Sequence, residues 1–312
     1  MRAPGAAERS ARWRALATFL LAGAAFLYLT WVLHREAASA AEALSSLSLG
    51  NSLVALAMAL LMHLLKTSYY LEVCRRLGAP IGAAGRLAHA YAVAQVARYL
   101  PGKIWGVAYQ IGSLGDVFPA RKIILAHIVQ MFQTNLLAVG VLVAMLDLLV
   151  FHQRWPIVIA VAVLVLVELF HRWPALERIF LQLWAKLRAR PELVESDIGA
   201  SPARSSAILL AEWLAYYAMW FFLLGERLPL HELALLATWY AAASLLAIFA
   251  FVVPGGLAVR EAIFVLLAGS AHGAGAAIVQ AALLRVLLIS AEALAVGVVR
   301  WIGGRLMIAA RS

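Results

Sequence analysis

The sequence predicts an all-α, polytopic integral membrane protein, and three observations support this fold class. Hydrophobic residues make up 64% of the 312 residues and charged residues only 13%, against roughly 45–50% and about 25% in soluble domains. Mean hydropathy is +0.88. The apolar residues are grouped into windows of about 20, the length at which a helix crosses a bilayer. Because no polar stretch is long enough to fold by itself, we expect residues 1–312 to form a single membrane domain.

Six apolar windows qualify as transmembrane helices. The first is a run of 19 residues, longer than the roughly 7–15 of a secretory signal peptide, so we interpret it as an uncleaved span. The fourth is the shortest, with 16 residues. The predicted spans are Ala15–Leu33, Asn51–Leu71, Lys122–Val150, Trp155–Phe170, Ser205–Leu224 and Ala274–Val299.

Two further apolar segments are interrupted by a proline. Leu87–Gly115 is broken at Pro101, and Leu233–Ala271 is broken at Pro254. Each is either a re-entrant helical hairpin or a pair of complete spans, and both alternatives return the chain to the side it came from. The prediction is therefore six spans plus two broken hairpins, or eight spans.

The distribution of basic residues predicts the orientation of the chain. With the N-terminus in the cytoplasm, 18 of the 26 lysines and arginines fall inside, three fall outside and five lie in spans or broken segments. This satisfies the positive-inside rule. We therefore expect a multi-pass protein of the bacterial cytoplasmic (inner) membrane with both termini and the loop 172–204 in the cytoplasm. Because the basic residues cluster in short loops, the net charge of +10 indicates contact with anionic lipid, not nucleic acid.

The two halves of the chain follow the same order of elements. Residues 1–151 and residues 152–312 each read as span, span, broken hairpin, span, and Pro101 and Pro254 are 153 residues apart. Three crossings per half is an odd number, so the second half is inverted relative to the first. The pattern predicts inverted repeats whose hairpins enter from opposite faces, an arrangement known in alternating-access transporters.

The broken segments are the candidate site. Non-helical backbone at membrane depth is tolerated only inside protein or beside a wet cavity. A helix that starts after such a break presents free N–H groups and a positive dipole end, which suit an anion; Lys103 and Arg260 would add charge there. The alternative is a proline kink within a packed helix. The candidate substrate-binding residues are Arg98, Pro101, Gly102, Lys103, Trp105, Pro254, Gly255, Gly256, Arg260 and Glu261.

Polar residues inside the other spans are candidates for a supporting pathway, because they are costly in lipid. Arg285 and Glu292 are seven residues apart on one helix face, and Arg260 and Glu261 can pair with them. A polar stripe in the third span contains His127, Gln130, Gln133, Thr134 and Asn135. It either forms interhelical hydrogen bonds or lines the pathway. Glu212 is either a proton-coupling carboxylate or the partner of a nearby arginine, and Lys66 near a span end can snorkel to the interface.

The sequence does not point to an enzyme. The histidines and carboxylates lack the spacing of metal ligands, no glycine-rich nucleotide loop occurs, and the single cysteine, Cys74, allows no disulfide or cysteine cluster. We therefore expect no catalytic residue, metal or cofactor, and a buried Cys74 beside a helix end.

The runs Arg98-Tyr99-Leu100-Pro101-Gly102-Lys103-Ile104-Trp105 and Val253-Pro254-Gly255-Gly256-Leu257-Ala258-Val259-Arg260-Glu261 resemble the two signature stretches of the lysylphosphatidylglycerol synthase transmembrane, or flippase-like, family. The similarity in length and span pattern covers essentially the whole chain. It implies a membrane domain that moves lipids or lipid-linked headgroups between leaflets. One departure is Ala258, where the family usually has glycine. The soluble synthase domain is absent, so lysyl transfer is not expected.

The sequence and the resemblance together predict a flippase that moves an anionic phospholipid or a polyprenyl-phosphate-linked lipid between leaflets by alternating access. Its partners would be that lipid and the bilayer. Two alternatives remain open. One is a membrane-embedded lipid-modifying transferase or phosphatase. The other is a non-transporting scaffold that binds a glycosyltransferase or a lipid-modifying enzyme as its partner.

Overall fold

The computed structural model describes residues 27–32, 34–45, 47–97, 99, 105–151, 158, 162, 202–225, 228–248 and 258–309. These residues are almost entirely helical, and no strand occurs among them. The fold of the described chain is therefore all-α, as predicted. The helices, numbered in order, are α1 (Ala37–Ser45), α2 (Leu49–Arg76), α3 (Ala84–Ala97), α4 (Trp105–Leu114), α5 (Ala120–Leu146), α6 (Pro202–Leu224), α7 (Leu230–Leu246), α8 (Val259–His272) and α9 (Ala274–Ala309).

Prolines set the start of several helices. Pro119 and Pro229 immediately precede α5 and α7 in an extended conformation, and Pro80 does the same for a 3₁₀ turn, Ile81–Ala83, that leads into α3. Proline disfavours helical backbone in the residue before it, so a helix cannot extend backwards through this position. Proline lacks an N–H group, but no hydrogen bond is lost at this position, because the first N–H groups of a helix have no partner within the helix.

Four helices are long and apolar enough to cross a membrane: Leu49–Arg76, Ala120–Val150, Arg204–Leu224 and Ala274–Gly303. They correspond to four of the six predicted spans. Of the other two, Ala15–Leu33 is described only at residues 27–32, which are helical, and Trp155–Phe170 only at residues 158 and 162. Large apolar side chains on the four helices remain exposed, including Leu53, Val139, Leu214 and Val286. Such surfaces are unusual in soluble monomers and suit contact with lipid.

The last helix is longer than predicted. It runs for 36 residues to Ala309, whereas the apolar window ends at Val299. Hydropathy detects where the chain leaves the apolar layer, not where the helix ends, and the segment after Arg300 has no proline to stop it. The third predicted span ends as predicted at Val150, although its last turn is π-helical, at Asp147–Phe151.

Each predicted interruption lies between two short helices. Helix α3 ends at Ala97 and α4 begins at Trp105, and α7 ends at Leu246 and α8 begins at Val259. These helices have 14, 10, 17 and 14 residues, fewer than the roughly 20 that a perpendicular crossing needs. We call α3 with α4 the first hairpin and α7 with α8 the second hairpin.

A contact between polar side chains joins the two open ends of each hairpin. At the first hairpin, Arg86 near the start of α3 donates two hydrogen bonds of 2.8 Å to the carboxylate of Asp116, just after α4. At the second, Glu232 Oε2 near the start of α7 lies 3.7 Å from His272 Nδ1 at the end of α8. In each hairpin the start of the first helix therefore lies close to the end of the second helix, so the chain turns back after each interruption. Hydrogen bonding to Arg86 holds the pKa of the Asp116 carboxyl below its ordinary value.

The chain divides into two compact units. The first contains residues 1–59, 94–106 and 217–293, and the second contains residues 60–93, 107–216 and 294–312. Both units draw on both predicted halves of the chain. In the first unit, Trp220, Tyr240 and Phe264 form a buried aromatic cluster with ring centroids 5.3–5.9 Å apart. In the second, Tyr69, Tyr91 and Phe118 are among the buried core residues, and Cys74 is buried near the end of α2, as predicted.

Candidate functional site

A cluster of charged residues lies within the first unit. Arg260 and Glu261 occupy the first turn of α8, and Arg285 lies on α9. Glu261 Oε1 is 3.2 Å from an Arg260 guanidinium nitrogen and 3.6 Å from an Arg285 guanidinium nitrogen. The three side chains expose only 10–15% of their surface. The predicted pairing of Glu261 with Arg285 is confirmed.

Each arginine of this cluster also contacts a tyrosine ring. The Arg260 guanidinium carbon is 4.9 Å from the ring centroid of Tyr240 on α7, and that of Arg285 is 5.0 Å from the ring centroid of Tyr99. At these distances the negative face of an aromatic ring attracts a cation. We call Tyr99, Tyr240, Arg260, Glu261 and Arg285 the arginine cluster.

The arginine cluster connects the two Pro-Gly stretches of the sequence. Tyr99 belongs to the first stretch, while Arg260 and Glu261 belong to the second, and Arg285 contacts residues of both. The rest of the predicted substrate-binding set is distributed differently. Trp105 begins α4 and is 51% exposed. Seven residues lie outside the described part of the chain: Arg98, Pro101, Gly102, Lys103, Pro254, Gly255 and Gly256.

Two backbone features place the cluster. Ala258, immediately before α8, has φ of +64° and ψ of −33°, so the chain enters the helix from a left-handed conformation. Gly273, with φ of +83°, joins α8 to α9, a conformation that glycine adopts without the clash of a Cβ. With only this one residue between the helices, α9 turns back and brings Arg285 beside Glu261.

The cluster carries an excess of positive charge. Two arginines and one glutamate give a formal charge of +1, and both arginines use the same oxygen, Oε1. The other carboxylate oxygen, Oε2, is buried and has no hydrogen-bond partner among the described residues, and the same is true of the Tyr240 hydroxyl. Guanidinium groups present several donors in a planar fork that matches carboxylate and phosphate oxygens. The arrangement can therefore bind an anion.

Glu292, the other predicted partner, lies two helical turns beyond Arg285 on α9 and is 2% exposed. It is the most deeply buried carboxylate described in the first unit. A carboxylate at this depth adds negative charge to the helix that carries Arg285. Its predicted place on the same helix face as Arg285 agrees with the burial of both side chains.

The polar stripe of the third predicted span lies in the second unit and forms hydrogen bonds between helices. The Gln130 amide donates to the Tyr91 hydroxyl at 2.6 Å, and Gln133 accepts a hydrogen bond from Tyr69. Thr134 and Asn135 instead donate to carbonyls of their own helix. His127 is placed beside Tyr70, at a centroid distance of 5.2 Å. Of the two alternatives predicted for the stripe, interhelical bonding thus accounts for the contacts of Gln130 and Gln133.

Glu212 also lies in the second unit, and its ionic partner is a lysine. Lys66 Nζ on α2 is 3.9 Å from Glu212 Oε1 on α6. The prediction offered an arginine as partner. Lys66 can reach Glu212 because it lies in the middle part of α2 and faces α6. This lysine therefore pairs with a residue of another helix.

The sequence did not single out Tyr99 and Tyr240. Tyr99 lies in the first Pro-Gly stretch, and its position next to Arg98 is the one sequence feature that could have indicated its role. Tyr240 gives no signal, because a tyrosine in an apolar helix is ordinary core material. No group of three metal-binding side chains occurs within the described ranges. No protein-family model matches the chain, and no curated protein matches it either.

Proposed function

We propose that this protein is a flippase of the lysylphosphatidylglycerol synthase transmembrane type that moves an anionic phospholipid or a polyprenyl-phosphate-linked lipid between leaflets. The observation that supports this most directly is the arginine cluster, in which residues of both Pro-Gly stretches contact Arg285. Burying two arginines within a membrane costs free energy, so such residues are candidates for a functional site. Binding the phosphate of a lipid headgroup would be that function.

Phosphate, like carboxylate, has the oxygen geometry that arginine side chains recognise. Bidentate pairs between arginine and phosphate are among the stronger hydrogen-bonded contacts in proteins, and low solvent exposure strengthens them further. The phosphate would bind the guanidinium N–H groups of Arg260 and Arg285, while the tyrosine rings stay in contact with the same two cations. The acyl chains would stay in the bilayer.

Alternating access of inverted repeats is the transport mechanism that we propose. The short helices of both hairpins and the side-chain contact at each open end support re-entrant segments. The charge distribution supports a bacterial cytoplasmic membrane location with both termini inside. Family membership is supported by Ala258, since the position at which the family usually has glycine has a positive φ.

The test is lipid flipping by the purified protein in vesicles that contain a fluorescent phosphatidylglycerol. We expect the unmodified protein to make inner-leaflet lipid accessible to an added quencher. Arg260→Ala should reduce the rate to that of protein-free vesicles, because the phosphate loses one of its two cations. Arg300→Ala, at an exposed position on α9, is the matched control and should flip normally.

Three results would contradict the proposal. Normal flipping by a folded Arg260→Ala variant would remove the cluster from the transport site. Chemical change of the lipid headgroup by purified protein would indicate a transferase or phosphatase. Absence of flipping in the unmodified protein, together with copurification of a glycosyltransferase, would indicate a scaffold.

A further inference from the structure

Glu261 occupies the position at which a bound anion would sit. Both arginines of the cluster direct a guanidinium nitrogen to the same oxygen, Oε1, at 3.2 and 3.6 Å. The residue is 7% exposed, and its second oxygen is buried without a hydrogen-bond partner among the described residues. A phosphate oxygen placed between the same two guanidinium groups would make the same contacts as Glu261 Oε1.

The arginines have supports that do not depend on Glu261. Tyr240 on α7 and Tyr99 before α4 each lie against one guanidinium group. If the carboxylate moved away, these contacts would keep the two cations near their present positions. A rotation about the side-chain bonds of Glu261, in the first turn of α8, would suffice and would not require its backbone to move.

On the basis of the proposed function, we infer that Glu261 is an internal competitor for the phosphate of the substrate. Its carboxylate neutralises part of the arginine charge in the empty protein, is displaced when a phosphate enters, and returns when the phosphate leaves. A phosphodiester exchanges one negative charge for another, so the two arginines with their bound anion keep the formal charge of +1 that they have with Glu261. A headgroup without a phosphate or another anionic group has no charge with which to displace the carboxylate.

This role makes Glu261 a specificity-determining residue. A ligand must bind the arginines better than the carboxylate does, which favours the paired oxygens of a phosphate over a single weak acceptor. The competitor also limits affinity, because the observed affinity falls when only part of the protein is in the binding-competent arrangement. Limited affinity permits release at the second leaflet.

The experiment measures binding of two phosphate probes to purified protein in detergent by calorimetry. The probes are inorganic phosphate and dihexanoylphosphatidylglycerol, which separate a free anion from a lipid headgroup. We expect Glu261→Gln to bind at least one probe at least about tenfold more tightly, which corresponds to about 1.4 kcal/mol, because the phosphate then no longer competes with a charged hydrogen bond. The same variant should flip lipid more slowly, because release is slowed.

The matched control is Glu72→Gln, which removes a buried carboxylate of the second unit that pairs with Arg75. It should leave probe binding unchanged. If Glu261→Gln does not fold, Glu261→Asp keeps the charge but retracts it by one methylene, and it should still bind the probe more tightly than the unmodified protein.

The outcomes distinguish this inference from the proposed function. If the unmodified protein binds a probe and both Glu261 variants bind it equally or more weakly, Glu261 is not a competitor, while the phosphate site stands. If neither the unmodified protein nor any Glu261 variant binds a probe, the proposed function fails as well. Tighter binding of inorganic phosphate alone would support the competitor and contradict a lipid substrate.

Discussion

At the scale of single residues, the most informative position is Ala258, directly before the candidate site. Its φ of +64° is the only positive value among the described residues that are not glycine. The Cβ of an L-residue clashes with its own backbone in this region, at a cost of roughly 1–2 kcal/mol. Strain of this kind persists only when surrounding structure imposes it. Here it fixes the direction from which the chain enters α8, and hence the position of Arg260 and Glu261.

Ala258→Gly should therefore stabilise the protein. We expect a gain of about 0.5–1 kcal/mol, since glycine removes the Cβ clash but increases the freedom of the unfolded chain. Thermal unfolding of the purified protein in detergent measures the change. Ala262→Gly, one turn later in α8, should have the opposite effect of roughly 1 kcal/mol, because glycine is unfavourable within a helix. An equal loss of stability in both variants would show that Ala258 is not strained.

At the scale of elements, the first hairpin depends on a close approach between its two helices. A Cβ on Gly106 of α4 would lie 2.7 Å from the backbone carbonyl oxygen of Ala94 on α3. The helices can be this close only because residue 106 lacks a side chain. Backbone atoms cannot yield as the end of a flexible side chain can, so a larger residue must push α4 away.

Gly106→Ala should consequently destabilise the protein by roughly 1–3 kcal/mol, the usual cost of overpacking, and should slow lipid flipping. Gly112→Ala is the matched control on the same helix, because an added Cβ there would have no atom within 4 Å. We expect it to be neutral or to stabilise α4 by about 0.5–1 kcal/mol. The measurement is the unfolding temperature of each variant. Similar changes in unfolding temperature for Gly106→Ala and Gly112→Ala would contradict the close approach of α3 and α4.

The ionic contact at the open end of the first hairpin has a defined pH dependence. Arg86 holds the pKa of Asp116 below its ordinary value by hydrogen bonding, so the contribution of this pair to stability is present above the ordinary pKa. It is lost as the pH falls through the lowered pKa of the folded state. The difference in unfolding temperature between the unmodified protein and Arg86→Ala should thus be constant from about pH 5 to 8 and shrink below about pH 4. A difference that grows on acidification would contradict this assignment.

The sequence predicted some elements well and others poorly, for physical reasons. Apolar windows located α2, α5, α6 and α9, since a membrane demands long runs without charge. The same windows missed the extension of α9 to Ala309, because hydropathy reports the apolar part of a segment and not the end of its helix. The pairing of Arg285 with Glu261 was predictable, as opposite charges at membrane depth require partners. The contact of Arg260 with Tyr240 was not, because it depends on how α7 and α8 pack.

At the scale of the whole molecule, the proposed inverted repeat requires the two hairpins to open toward opposite sides of the membrane. The positive-inside count predicts that the first hairpin starts in the cytoplasm and that the second starts outside. Each unit contains parts of both halves, so the repeat must be tested by topology, not by the division into units. Two exposed residues mark the hairpin ends: Ile81, which is 82% exposed, and Leu230, which is 70% exposed.

Single cysteines at these two positions should react oppositely with a membrane-impermeant maleimide. The single native cysteine, Cys74, is fully buried and should remain unlabelled in folded protein, so it need not be removed. Leu230→Cys should be labelled in intact cells, whereas Ile81→Cys should be labelled only after the inner membrane is permeabilised. Both must react after solubilisation, which shows that each cysteine is accessible in principle. Labelling of both positions from the same side would exclude oppositely directed hairpins, and with them the inverted repeat and the alternating-access mechanism proposed for it.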